Sequence, residues 1–88
     1  MMPIQDFLNR IRWDKEFGKS DFEVGYYDHV EQKIIRIPFQ RLGFEEGNRF
    51  SFQFHTDTGE LRNIPFHHVR EVYKDGERIW YRRFVGPL

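Results

Sequence analysis

Val69-Arg70-Glu71-Val72-Tyr73-Lys74-Asp75-Gly76-Glu77-Arg78-Ile79-Trp80-Tyr81-Arg82-Arg83 reads as two strands folded back on an Asp-Gly turn. A two-residue hairpin turn needs positive φ at both central positions, and Asp-Gly tolerates it. The flanking runs are rich in β-branched and aromatic residues, as strands are. Upstream, the period-two pattern continues. Phe50, Phe52 and Phe54 alternate with Ser51, Gln53 and His55. Thr56-Asp57-Thr58-Gly59 is a turn, and Glu60 to Ile64 is a short strand halted by Pro65. Phe22, Val24 and Tyr26 alternate with polar or small residues before the break Asp28-His29-Val30-Glu31-Gln32. Lys33 to Phe39 resumes with Ile35, Ile37 and Phe39 on one face. Pro38 cannot donate to a central ladder, so this strand is expected to end there or lie at an edge. Gly43 to Asn48 is a second polar connection.

Only the start of the chain has a helical period. Ile4, Phe7, Leu8 and Ile11 form one apolar stripe, Pro3 suits the first turn, and Gly18 is the expected stop. Asp6 and the pair Arg10 and Arg12 suit the two ends of the helix dipole. The expected fold is α+β. One N-terminal helix packs on a twisted antiparallel sheet of five or six strands, which would make a small barrel if it curled to closure. Ile-Pro-Phe occurs at 37–39 and again at 64–66, each time after a hairpin strand, which suggests a duplicated strand-turn unit.

At 88 residues the chain is one small domain, 1–88. Ten Phe, four Tyr and two Trp are too many rings for a disordered segment and must supply the core. No apolar run approaches the roughly 20 residues of a membrane-spanning helix. Gln5 and Asp6 interrupt any secretory leader, so a cytoplasmic protein is expected. The chain has no cysteine, which removes disulfides and thiolate metal sites. With 14 Lys+Arg against 14 Asp+Glu there is no polybasic coat, so any nucleic-acid site must be a local patch. Residues 67–83 are the mildly basic part.

Strict alternation would place Arg78, Trp80 and Arg82 on one face of the last strand. Two guanidinium groups around an indole suit RNA, since the ring stacks on a base and the guanidinia fork onto phosphate. The alternative is that Trp80 is core and the arginine stems cover its rim. His29, His55, His67 and His68 lack zinc-type spacing, so no metal and no cofactor is expected. Asp14 and Asp28 could act as acids but fit turn caps better.

Leu8 to Asp14, Val24 to His29, Ile64 to Val72 and Asp75 to Arg82, in that order, resemble a small archaeal family described as an RNA cyclic group end recognition domain. The resemblance runs from Ile4 to Arg83. It implies a stand-alone module for single-stranded RNA ends carrying a 2′,3′-cyclic phosphate. Similar eukaryotic domains are joined to RNA-processing enzymes, so such an enzyme is an implied partner. Carried over by position, the family's motif residues fall on Trp13 and Asp14, on Gly25, Tyr26 and Asp28, on Ile64, Pro65 and His67, and on Trp80 and Arg82. His29 and His68 stand where the family usually has arginine. Histidine is mostly neutral at pH 7, so phosphate binding at these positions should strengthen on mild acidification. On this reading Trp13 or Trp80 stacks on the terminal base, while His67, His68, Arg70 and Arg82 hold the phosphate. The alternatives are a small cyclic phosphodiesterase using His67 and a protein-interaction module.

Overall fold

The computed structural model describes residues 3–82. Helix α1 spans Ile4–Trp13. Six strands follow: β1 Phe22–Asp28, β2 Lys33–Pro38, β3 Ser51–His55, β4 Leu61–Pro65, β5 Val69–Lys74 and β6 Glu77–Tyr81. Short 3₁₀ turns occupy Phe17–Lys19, Phe39–Arg41 and Phe66–His68. The strands form a four-stranded antiparallel sheet, ordered β2-β1-β5-β6, and a two-stranded ribbon, β3-β4. The described residues do not close into a barrel. No helix among them is long and apolar enough to cross a membrane.

The helix ends earlier than Gly18. Its backbone turns extended at Asp14, whose carboxylate takes the N–H groups of Glu16 and Phe17, each at 3.1 Å. A side chain that satisfies nearby backbone donors competes with helix continuation. The stripe Ile4, Phe7, Leu8 and Ile11 is buried as expected. It packs with Phe22, Val24, Tyr26, Val72 and Trp80 from the inner face of the sheet and with Phe52, Phe54 and Phe66, all in one core. Phe50 departs from the alternation of its strand: it lies before β3 and is 81% exposed.

The Asp75-Gly76 turn forms as read, with φ of 51° and 86° at its two residues. The strand read as Glu77 to Arg83 is observed as Glu77–Tyr81, and residue 83 lies outside the described residues. Two register shifts disturb the sheet. Gly25 faces Glu71 while Tyr26 faces Val69, which leaves Arg70 as an extra residue in β5. Val72 faces Trp80 while Tyr73 faces Arg78, which leaves Ile79 extra in β6. β2 is an edge strand, in keeping with Pro38.

The two Ile-Pro-Phe segments have the same local structure. Pro38 (φ −57°, ψ 137°) and Pro65 (φ −60°, ψ 141°) each close a hairpin strand and open a 3₁₀ turn. Each turn ends in a bond back to its phenylalanine carbonyl, from Leu42 in one and Val69 in the other. The continuations exchange partners. Gly43, after the first turn, bridges to β3 of the second hairpin. β5, after the second turn, pairs with β1 of the first hairpin. Tyr26 and Phe54 meet across this arrangement with ring centroids 5.9 Å apart.

Candidate functional site

The bulge at Arg70 builds the site. An extra residue in one strand lets its side chain leave the regular alternation. Arg70 is buried, and its Nη1 donates to the His67 carbonyl at 2.6 Å. Its own carbonyl accepts the Arg82 N–H at 2.8 Å, which sets Arg82 beside it just beyond β6. The 3₁₀ turn Phe66–His68 precedes the bulge, with His67 exposed and His68 half-buried. From the end of β1 comes His29. The His29 and His68 rings lie 4.9 Å apart, and those of His67 and His68 4.6 Å. His29 also meets Tyr27 edge-on at 5.1 Å. Three imidazoles and two guanidinium groups therefore gather at one end of the sheet.

Burial and neighbouring charge act on two members of this cluster. Burial pushes the His68 pKa below the ordinary 6.5, and His67, His29 and Arg70 push it the same way. Burial also lowers the Arg82 pKa, and the Arg70 charge adds to it. Among the described residues, the groups whose charge acts on these two are His67, His29 and Arg70 on His68, and Arg70 on Arg82. A histidine whose folded pKa lies below its unfolded value binds protons less readily in the native state. Its stability contribution is complete above about pH 6.5 and declines as pH falls through that value toward the folded pKa. A series of thermal melts from about pH 8 to about pH 5 should show a falling Tm. His68→Gln should flatten the slope below about pH 6.5, and inorganic phosphate should flatten it in the native chain.

Tyr26 and Asp28 sit next to this cluster but face inward. Tyr26 is core, and its hydroxyl pKa is raised by burial and then by the Asp28 charge. Asp28 is buried. Its Oδ1 accepts the Val30 and Glu31 N–H groups at 2.8 and 3.1 Å, and Arg62 Nη1 lies 3.4 Å from Oδ2. Asp28 thus shapes the turn that carries His29. Asp14 likewise caps the end of α1.

The two tryptophans divide, with Trp80 following the core alternative and Trp13 open. Trp80 is 6% exposed, packed against Phe7 at 6.4 Å and covered by the Arg82 guanidinium at 5.3 Å. It is a core ring, and no face is open to a base. The extra Ile79 also breaks the alternation, so Arg78 lies on the outer face with Glu71 and Tyr81 instead of beside Trp80. Trp13 is 73% exposed. It borders a groove of about 850 Å³ between α1 and the 44–49 segment, whose charged lining is Asp6, Glu45 and Glu46 with Arg12 and Arg49. Three carboxylates against two guanidinium groups leave that groove without the excess of positive charge that draws an RNA backbone.

Sequence reasoning did not place Tyr27 in the site, and it named His29 only through the resemblance, as a position where phosphate binding should strengthen on acidification. Strand alternation already put Tyr27 on the face opposite Tyr26, and the Asp28 cap was the signal that the turn after it is held in place. Among the described residues no group of three or more His, Asp or Glu could hold a metal ion.

No curated protein and no solved structure matches the chain. A family model described as the MJ1316 RNA cyclic group end recognition domain does match it, over residues 1–82. That span takes in the helix, all three hairpins and the cluster of histidines and arginines, and the chain belongs to this RNA cyclic group end recognition domain family.

Proposed function

We propose that the domain is a binding module for single-stranded RNA ends and that it holds a terminal 2′,3′-cyclic phosphate among His29, His67, His68, Arg70 and Arg82. The observation that carries this reading is geometric: three imidazole rings in contact through His68 and the Arg70 and Arg82 guanidinium groups come together at one end of the sheet. A phosphate can take hydrogen bonds from several of these donors at once. Arg82 supplies a fixed charge in a planar fork that matches phosphate oxygens. His68, held neutral by its surroundings, donates one N–H without adding a full charge. A cyclic phosphate carries a single negative charge, so a pocket of limited positive charge suits it better than a polybasic groove does. Proton uptake by His68 on binding makes affinity rise as pH falls toward 6.

The family name supports recognition over chemistry. The close imidazoles are nevertheless of the type that can exchange protons with a phosphodiester, so turnover is measured alongside binding. The test is a titration with short single-stranded RNAs that differ only at the 3′ end, as cyclic phosphate, 3′-phosphate or hydroxyl. Tightest binding to the cyclic end, with that end recovered intact, is expected. Equal or absent binding to all three overturns the reading, and opening of the ring makes the domain an enzyme.

A further inference from the structure

Tyr27, Arg70 and Arg82 belong to two places at once. They border the cluster of histidines and arginines, and they also line a hollow of about 270 Å³ on the outer face of the sheet, together with Ile34, Glu71, Arg78 and Tyr81. Usual small-molecule pockets span about 300–1,000 Å³, so this one suits a single flat ring system and not a length of chain. Ile34 pairs with Tyr27 across β1 and β2. Gly25 keeps the sheet surface low here: a Cβ at that position would lie 3.0 Å from Ile34 Cγ2 and 3.3 Å from Glu71 Oε1.

The walls are built to stack. Tyr81 is 57% exposed, and the Arg78 guanidinium lies over its ring at 4.4 Å. Arg78 is held in turn by Glu71 at 3.0 Å. This order, carboxylate to guanidinium to phenol ring, fixes the Tyr81 plane before any ligand arrives. A base against fixed aromatic and guanidinium planes gains stacking without reading its edges. The groove at Trp13, by contrast, shares no lining residue with this hollow.

We infer that the hollow at Tyr27, Ile34 and Tyr81 seats the terminal nucleobase of the RNA whose phosphate lies on Arg70 and Arg82. The inference rests on the anion site proposed above and adds the base, which no family description assigns. It places the stacking ring on the outer sheet face and takes that role from Trp13.

Two probes separate the base from the phosphate. One is adenosine 2′,3′-cyclic phosphate. The other is methyl riboside 2′,3′-cyclic phosphate, which has the same phosphate and no base. The full chain should bind the adenosine probe about 5- to 150-fold more tightly, the range that one base–aromatic stack supplies. Tyr81→Ala should bring the ratio close to one while the riboside affinity holds. Tyr81→Phe, which keeps the ring, should retain the ratio, as should Trp13→Ala. Equal affinity for the two probes in the native chain overturns the base seat and leaves the anion site standing. So does a Trp13→Ala variant that loses the ratio. Failure of both probes to bind overturns the anion site and this seat together.

Discussion

Alanine at position 80 is expected to cost about 3–5 kcal/mol of folding stability, the usual range for removing a large aromatic from a core. Domains of this size have on the order of 5–10 kcal/mol in total, so Trp80→Ala should melt at least ~12 °C lower and be partly unfolded at working temperature. The reason is the place of the ring. It is 6% exposed, lies opposite Val72 in the sheet, and touches Phe7 of the helix. Losing it opens a cavity where helix and sheet meet. Trp80→Phe keeps a ring in that slot and should retain most of the stability. It should also bind RNA ends like the native chain, because Trp80 has no face for a base. Melting curves and the RNA titration on the same two variants check both halves. A well-folded Trp80→Phe that had lost RNA binding would show that the indole does touch the ligand.

Arg82→Met is expected to move stability and binding in opposite directions. The unbranched methionine keeps apolar cover over Trp80 and removes the charge. In the empty protein that charge is opposed by burial and by Arg70. The variant should therefore melt at the native temperature or above it. Removing one partner of a hydrogen-bonded charge pair costs about 2–5 kcal/mol, so its affinity for cyclic-phosphate RNA should fall at least ~30-fold. Arg82→Lys, with a charge but no fork, should fall between the two. Calorimetric melts and a binding titration measure the two effects. A large loss of stability in Arg82→Met would mean that the arginine is structural and that the trade of stability for function is absent.

The sequence made some parts of this molecule legible and hid others for physical reasons. The stripe from Ile4 to Ile11, the Asp75-Gly76 turn and the edge position implied by Pro38 are local features, and all three stand in the structure. The end of the helix was misplaced because a capping carboxylate at Asp14 acts sooner than a glycine at 18. The faces of the last strand were misread because one inserted residue, Ile79, shifts Arg78 across the sheet, and a bulge has no mark in period-two alternation. Arg70 and Arg82 were legible as candidates. Their meeting was not, since it depends on a second bulge and on a bond between strands adjacent only through the hairpin. His29 joins His68 across 39 positions of sequence, a distance that no local pattern reports.

The exchanged pairing of the two hairpins has a consequence for synthesis. β1 is an interior strand, but its second neighbour, β5, begins at Val69. At about 5–20 residues per second, the ribosome spends roughly 1.5–6 s between finishing Pro38, which completes the first hairpin, and delivering Val69. Through that interval the nascent first hairpin exposes one unpaired edge of β1, a template on which other chains could add. Gly25 and Glu23 lie on that edge strand, one a weak strand former and the other a charge. The glycine that leaves room on the finished outer face thus also helps to make the unfinished edge a poor place to aggregate.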